Sequence, residues 1–166
     1  MNKVNLDEIK VYFPQEPFDA KKHFLSSDGF GGFDSREVET YLVFASWRGF
    51  PIARLTIRIP LEPNDINDFW FNMNDGSPKP RPVVTFQDTE NKYWGQGISG
   101  GLITLANKTA KSRFKEPLAS DIVFSNNYSP DRRFHQTPAR RVWEKLEKEG
   151  LAYQKPFMGK PRWIML

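Results

Sequence analysis

The residues of this chain best suited to chemistry lie between Val83 and Ser99. Val83-Val84-Thr85-Phe86 is a β-rich run whose branched and aromatic side chains suit a buried strand. After a polar connection, Gly95-Gln96-Gly97 leads into a helical pattern in which Ile98, Leu102, Leu105, Ala106, Thr109 and Ala110 recur at spacings of three and four. Strand, glycine turn and helix together can hold a phosphate. The first backbone N–H groups of a helix have no internal partner and sit at the positive end of its dipole. Glycine leaves that backbone open where a Cβ would shield it. The plain alternative is a glycine-eased joint between a strand and a helix, and two glycines alone do not decide between the two.

Other chemistries drop out on composition. The 166 residues include no cysteine, so disulfides, thiolate zinc sites and a cysteine nucleophile are excluded. His23 and His135 are the only histidines, too few for a histidine-rich metal centre, and no metal is expected. Asp121, Ser125 and His135 contain the residue types of a hydrolase triad, but the serine lacks a G-x-S-x-G setting. No run of about eighteen apolar residues exists, and the opening MNKVNLDEIK has no apolar signal region, so a soluble cytoplasmic protein without membrane contact is expected.

The net charge of +4 is unevenly spread. Residues 1–106 carry 11 Lys/Arg against 14 Asp/Glu, whereas residues 107–166 carry 13 against 6. A basic final third suits an anionic partner, either a phosphorylated small molecule or nucleic acid. Solvated surface charge explains it equally well.

The elements that must position the turn can be read in order. Ile9–Phe13 is a candidate strand, and Pro17–Ser27 a candidate short helix. Val38–Trp47 and Ile52–Ile59 form a hairpin about Arg48-Gly49-Phe50-Pro51, with Leu55, Ile57 and Ile59 alternating against Arg54, Thr56 and Arg58. Residues 64–81 are polar around an aromatic knot, Phe69-Trp70-Phe71. Leu118–Phe124 is a further strand, and Asn126–Gln136 a connection. Thr137-Pro138 is expected to start a helix as capping hydroxyl and first-turn proline, with Ala139, Val142, Trp143 and Leu146 on its buried side and Gly150 at its end. Leu151–Lys155 and Arg162–Leu166 make a terminal strand pair. The alternation of strands and helices predicts one mixed α/β (α+β) domain over 1–166, with a central sheet flanked by helices.

From about Tyr41 to Pro156 this order resembles the GNAT superfamily of acyl-CoA-dependent N-acyltransferases, and a divergent, phage-type member in particular. The family's phosphate loop has the form Q/R-x-x-G-x-G/A, and Trp94-Gly95-Gln96-Gly97-Ile98-Ser99 aligns with it. Its later helix often reads Asn-x-x-Ala-x-x-apolar-Tyr, and Gln136-Thr137-Pro138-Ala139-Arg140-Arg141-Val142-Trp143 aligns there. The departures fall on Trp94, Ser99 and Trp143, the last standing where many members have the tyrosine that protonates the leaving thiolate. The resemblance implies acetyl-CoA or another acyl-CoA as cofactor and an amine acceptor. It implies that Gly95, Gln96, Gly97, Ile98 and Ser99 hold the pyrophosphate. The end of the preceding strand, Phe86 and Gln87, would present backbone to the thioester. Asp88 or Glu90 becomes the candidate base, and Tyr128 or Tyr153 a substitute acid. The helix between them, as a right-handed crossover, predicts that Leu118–Phe124 runs parallel to Val83–Phe86, and the resemblance implies that the two strands splay apart to create the cofactor slot.

Two other functions fit parts of the chain. Residues 137–166 read as the last helix and wing of a winged-helix, nucleic-acid-binding module, with Arg140, Arg141, Lys145, Lys155, Lys160 and Arg162 meeting phosphates. The helix that a helix-turn-helix needs just before Thr137 is not legible. A GNAT-like fold acting in DNA modification, as in phage proteins of similar fold, would combine the two readings. A catalytically inactive GNAT-like protein that binds a partner through Phe69–Phe71 is the third class.

Overall fold

Ten residues of strand, a two-residue turn and eleven more residues of strand form the backbone of the molecule. In the computed structural model, which describes residues 3–18, 38–60, 81–120, 132–156 and 161–166, β2 (Val38–Trp47) and β3 (Phe50–Pro60) pair antiparallel along their whole length. Arg48 and Gly49 both take positive φ, 51° and 83°, the geometry whose twist matches two flanking strands. The turn is therefore tighter than Arg48–Pro51, and Phe50 and Pro51 begin the return strand. Tyr41, Val43 and Ala45 of β2 and Leu55 and Ile57 of β3 point into the core, as period-two alternation requires.

Around this hairpin runs one seven-stranded sheet in the order β1-β2-β3-β4-β5-β7-β6. β1 (Lys10–Tyr12) lines one edge, and β4 (Val83–Thr89) pairs antiparallel with β3. β5 (Ala119–Ser120) pairs parallel with β4, matching Val83 with Ala119 and Val84 with Ser120. β7 (Trp163–Met165) lies between β5 and β6 (Ala152–Gln154), antiparallel to both. The last two strands thus belong to the central sheet, not to a free wing. Residues 121–124 of the expected strand lie outside the described residues, as do most of the expected helix at Pro17–Ser27 and the Phe69–Phe71 knot.

Helix α1 (Ile98–Phe114) covers the core face of the sheet. It buries Ile98, Leu102, Ile103, Ala106, Asn107 and Ala110, an arc centred on Ala106. Leu105, one position and about 100° earlier, falls outside it and is 41% exposed, contrary to the expected face. Asn107 is buried because it is useful there. Its Nδ2 donates to the Leu166 carbonyl at 3.0 Å, and its Oδ1 accepts from the Leu118 N–H at 2.9 Å. It therefore ties α1 to the start of β5 and to the chain's last residue.

Helix α2 (Arg132–Lys148) starts five residues before the expected cap at Thr137, within the stretch read as a connection. Pro138 is consequently an interior residue, where it has no N–H for the carbonyl four positions back. Thr137-Pro138 therefore lies within the helix and does not form its first-turn cap. Trp143 and Leu146 are buried as expected. A Cβ on Gly100 would lie in ordinary contact, 3.8 Å, with both Val142 and Leu146, so α2 packs directly on the first turn of α1. No helix among the described residues is long and apolar enough to cross a membrane.

Candidate functional site

Strand β4 pairs with β5 at its start. Val83 and Val84 are held on both sides, and from Phe86 to Thr89 the strand pairs with β3. Residues 121–124, which follow β5, lie outside the described residues. The second half of β4 reaches the head of α1 through Gln87 and Ser99. Alternation sends Gln87 toward the helices, while Phe86 (46% exposed) and Asp88 face the other way.

The chain leaves β4 through Glu90, whose N–H donates to the Ile52 carbonyl at 2.9 Å, and a short 3-10 turn at Asn91–Tyr93. Tyr93 is buried edge-on to Trp47, with ring centres 5.9 Å apart. Trp94 is 57% exposed, but its indole N–H is held by the Thr89 carbonyl at 2.6 Å. Gly95 has φ +80° and Gly97 φ +77°, a region in which a side chain is strained. Gln96 turns back and accepts the Val4 N–H on its Oε1 at 2.7 Å. The glycines supply the sharp entry, and Gln96 ties it to the N-terminal segment.

Gly97 is the N-cap residue of α1 and gives it no side-chain cap. The N–H groups of Ile98, Ser99 and Gly100 meet no backbone carbonyl among the described residues. No acidic residue lies in that first turn, so the positive end of the dipole is not offset from within the helix. A second positive charge comes from α2. A Cβ placed on Gly97 would lie 4.0 Å from Lys145 Nζ. Lys145 also stands 3.9 Å from Glu149, with both side chains well exposed, a contact weak enough to give way to an anion.

Behind the turn, Gln87 joins both helices to the sheet. Its Nε2 donates to Ser99 Oγ at 3.1 Å, and its Oε1 accepts the Trp143 indole N–H at 3.1 Å. Trp143 has no exposed surface, so it is a core residue whose one donor is already used. The sequence offered little sign of this bridge beyond a polar residue at an inward strand position. The approach of Lys145 to Gly97 depends on how the helices pack and had no sequence signal.

The other candidates are scattered. Asp88 lies on the face of β4 opposite Gln87, 4.0 Å from the exposed Arg54, which also stacks over Phe86 at 5.0 Å. Glu90 is exposed beside Lys92 at 3.9 Å. Tyr153 sits on edge strand β6, three strand spacings or roughly 14 Å from β4. Tyr128 and Lys160 lie outside the described residues. Of the basic residues suggested for nucleic acid, Arg140 is paired with Glu144 at 2.8 Å, and Arg141 is exposed. Lys155 is half-buried and its N–H donates to the Arg162 carbonyl, while Arg162 itself is fully buried. Arg141 and Lys145, four residues apart on α2, are both exposed, but a buried Arg162 cannot meet a phosphate. No group of three or more potential metal-binding side chains occurs among the described residues.

Neither known protein-family models nor the sequences of curated proteins give a match to this chain.

Proposed function

We propose that this protein is an acyl-CoA-dependent N-acyltransferase that holds the cofactor's pyrophosphate at the head of α1. One observation carries the reading: an uncapped helix start opened by Gly97, with Lys145 beside it, next to the second half of β4. Backbone N–H groups and an ammonium suit a pyrophosphate. The resemblance adds a splay of β4 from β5, which would leave backbone for the amide-rich pantetheine arm and the thioester carbonyl. The cofactor's acyl chemistry comes to this chain through its resemblance to the GNAT superfamily.

In this reading the acceptor amine attacks the thioester carbonyl, the C–S bond breaks, and coenzyme A leaves as the thiolate. The amine's proton passes to a carboxylate. Asp88, within β4, and Glu90, just past its end, are the two candidates, and both side chains are exposed. Trp143 cannot return a proton to the thiolate, because it is buried and its N–H is bound to Gln87. That favours a second reading, a GNAT-like protein that binds acyl-CoA without turnover. Calorimetric titration with CoA tests the shared premise, and turnover with amine acceptors separates the two readings.

A further inference from the structure

We infer that the helix layer is a docking surface for duplex DNA, met at its phosphates by two rows of cations, one on each helix. The layer holds all of the molecule's excess positive charge. α1 and α2 carry 9 Lys/Arg against 2 Asp/Glu, whereas the whole chain carries 24 against 20. The remaining residues therefore carry 15 against 18. Charge is segregated by element, so a polyanion is drawn to the helices and not to the protein in general.

The cations stand in rows and most are unpaired. Lys108, Lys111 and Lys115 follow one another at three and four positions on α1 and its C-cap, which sets them along one side over roughly 10 Å. All three are exposed, and α1 contains no acidic residue. Arg141, Lys145 and Lys148 repeat the spacing on α2 and are exposed too. The two acids of α2 are engaged elsewhere. Glu144 holds Arg140 at 2.8 Å, and Glu147 accepts from Trp163 at 2.7 Å and from Gln154 at 2.9 Å. Of the six cations, only Lys145 has an ion-pair partner among the described residues, Glu149 at 3.9 Å. Both helices lie on the same face of the sheet, since Gln87 bonds to both from one strand position.

The form of the nucleic acid follows from what the layer lacks. Single strands are held on aromatic rings against which bases stack. Among the described residues neither helix exposes a ring, and Leu105 is the one large apolar side chain exposed on either. Unpaired cations without rings meet a backbone and do not read bases, and the duplex has the denser row of phosphates. Docking here does not depend on acyl-CoA, and only Lys145 also stands beside Gly97.

Fluorescence anisotropy tests this on the full chain, across a salt series, with a labelled random-sequence duplex and with one of its strands alone. Wild type should bind the duplex more tightly than the strand, with log affinity falling against log salt at a slope of about −3 to −5. The triple variant Lys108→Gln, Lys111→Gln, Lys115→Gln should bind at least about tenfold more weakly and lose about 2–3 from that slope. The pair Arg141→Gln and Lys148→Gln should lose about 2. Arg54→Gln removes an exposed cation from the opposite face of the sheet and should change neither quantity. These side chains are exposed, and circular dichroism checks that each variant keeps its fold. An equal loss in Arg54→Gln would reduce the effect to net charge and overturn the proposal. So would tighter binding of the strand than of the duplex, a triple variant that binds like wild type, or a wild type that does not bind the duplex.

Discussion

Trp143→Ala should be among the most damaging single substitutions in the molecule. The side chain has no exposed surface and packs with the core under α2. Truncating a fully buried tryptophan costs about 3–5 kcal/mol. The loss also strands Gln87 Oε1, which accepts the indole N–H at 3.1 Å, and an orphaned buried acceptor costs about 1–3 kcal/mol where water cannot reach it. The cavity gives water some access, so the expected total lies toward the upper end of about 3–5 kcal/mol. Trp143→Phe keeps most of the packing and should cost about 1–3 kcal/mol, mainly through the lost donor. Arg140→Ala removes only an exposed ion pair with Glu144 and should change stability by less than about 1 kcal/mol. Urea unfolding followed by circular dichroism measures all three. A Trp143→Ala loss below about 1 kcal/mol would refute the placement of this residue in the core.

Asn107→Ala leaves the Leu118 N–H without its partner and should cost about 1–3 kcal/mol in the same assay; a neutral effect would show that β5 is anchored in another way. Burial and a hydrogen bond to Glu39 push the Tyr41 phenol up to about 12 from 10.0. A raised folded-state value means that its contribution is complete below pH 10 and is lost as pH rises toward 12, so wild type should lose stability over that range. Tyr41→Phe should flatten the loss, and an unchanged profile would contradict the assignment. In a turnover assay, whichever of Glu90→Gln and Asp88→Asn removes the base should lower the rate while leaving CoA affinity unchanged. Equal losses of affinity would place these carboxylates in binding instead.

The strands were legible because their signals are local. Alternation from Leu55 to Ile59 and the Arg48-Gly49 turn specify the hairpin with little help from the rest of the chain. The parallel pairing of β4 with β5 followed from the helix between them. The α1 face was read partly wrongly because Leu105 is apolar but lies off the buried arc, while Asn107 is polar but bonded within it. The start of α2 was missed because Thr137-Pro138 is a strong local cap signal that the helix overrides. The turn at Gly95–Gly97 was visible as a pair of glycines. Lys145 beside Gly97 and the Trp143–Gln87–Ser99 chain were not, since they arise where α2 lies on Gly100, a tertiary contact with no sequence period.

The most direct measurement is calorimetric titration of wild type and Gly97→Val with CoA and acetyl-CoA, with a salt series on duplex and single-stranded DNA alongside. Valine at φ +77° strains the entry to α1, though among the described residues a Cβ there meets only Lys145 Nζ at 4.0 Å. The account predicts that wild type binds CoA and acetyl-CoA. It further predicts that Gly97→Val weakens both at least about tenfold, or 1.4 kcal/mol, while the circular dichroism spectrum stays close to that of wild type. Unchanged affinity in Gly97→Val would put the phosphate site elsewhere. No binding of either cofactor, even with salt-sensitive binding to DNA, would contradict the acyl-CoA account.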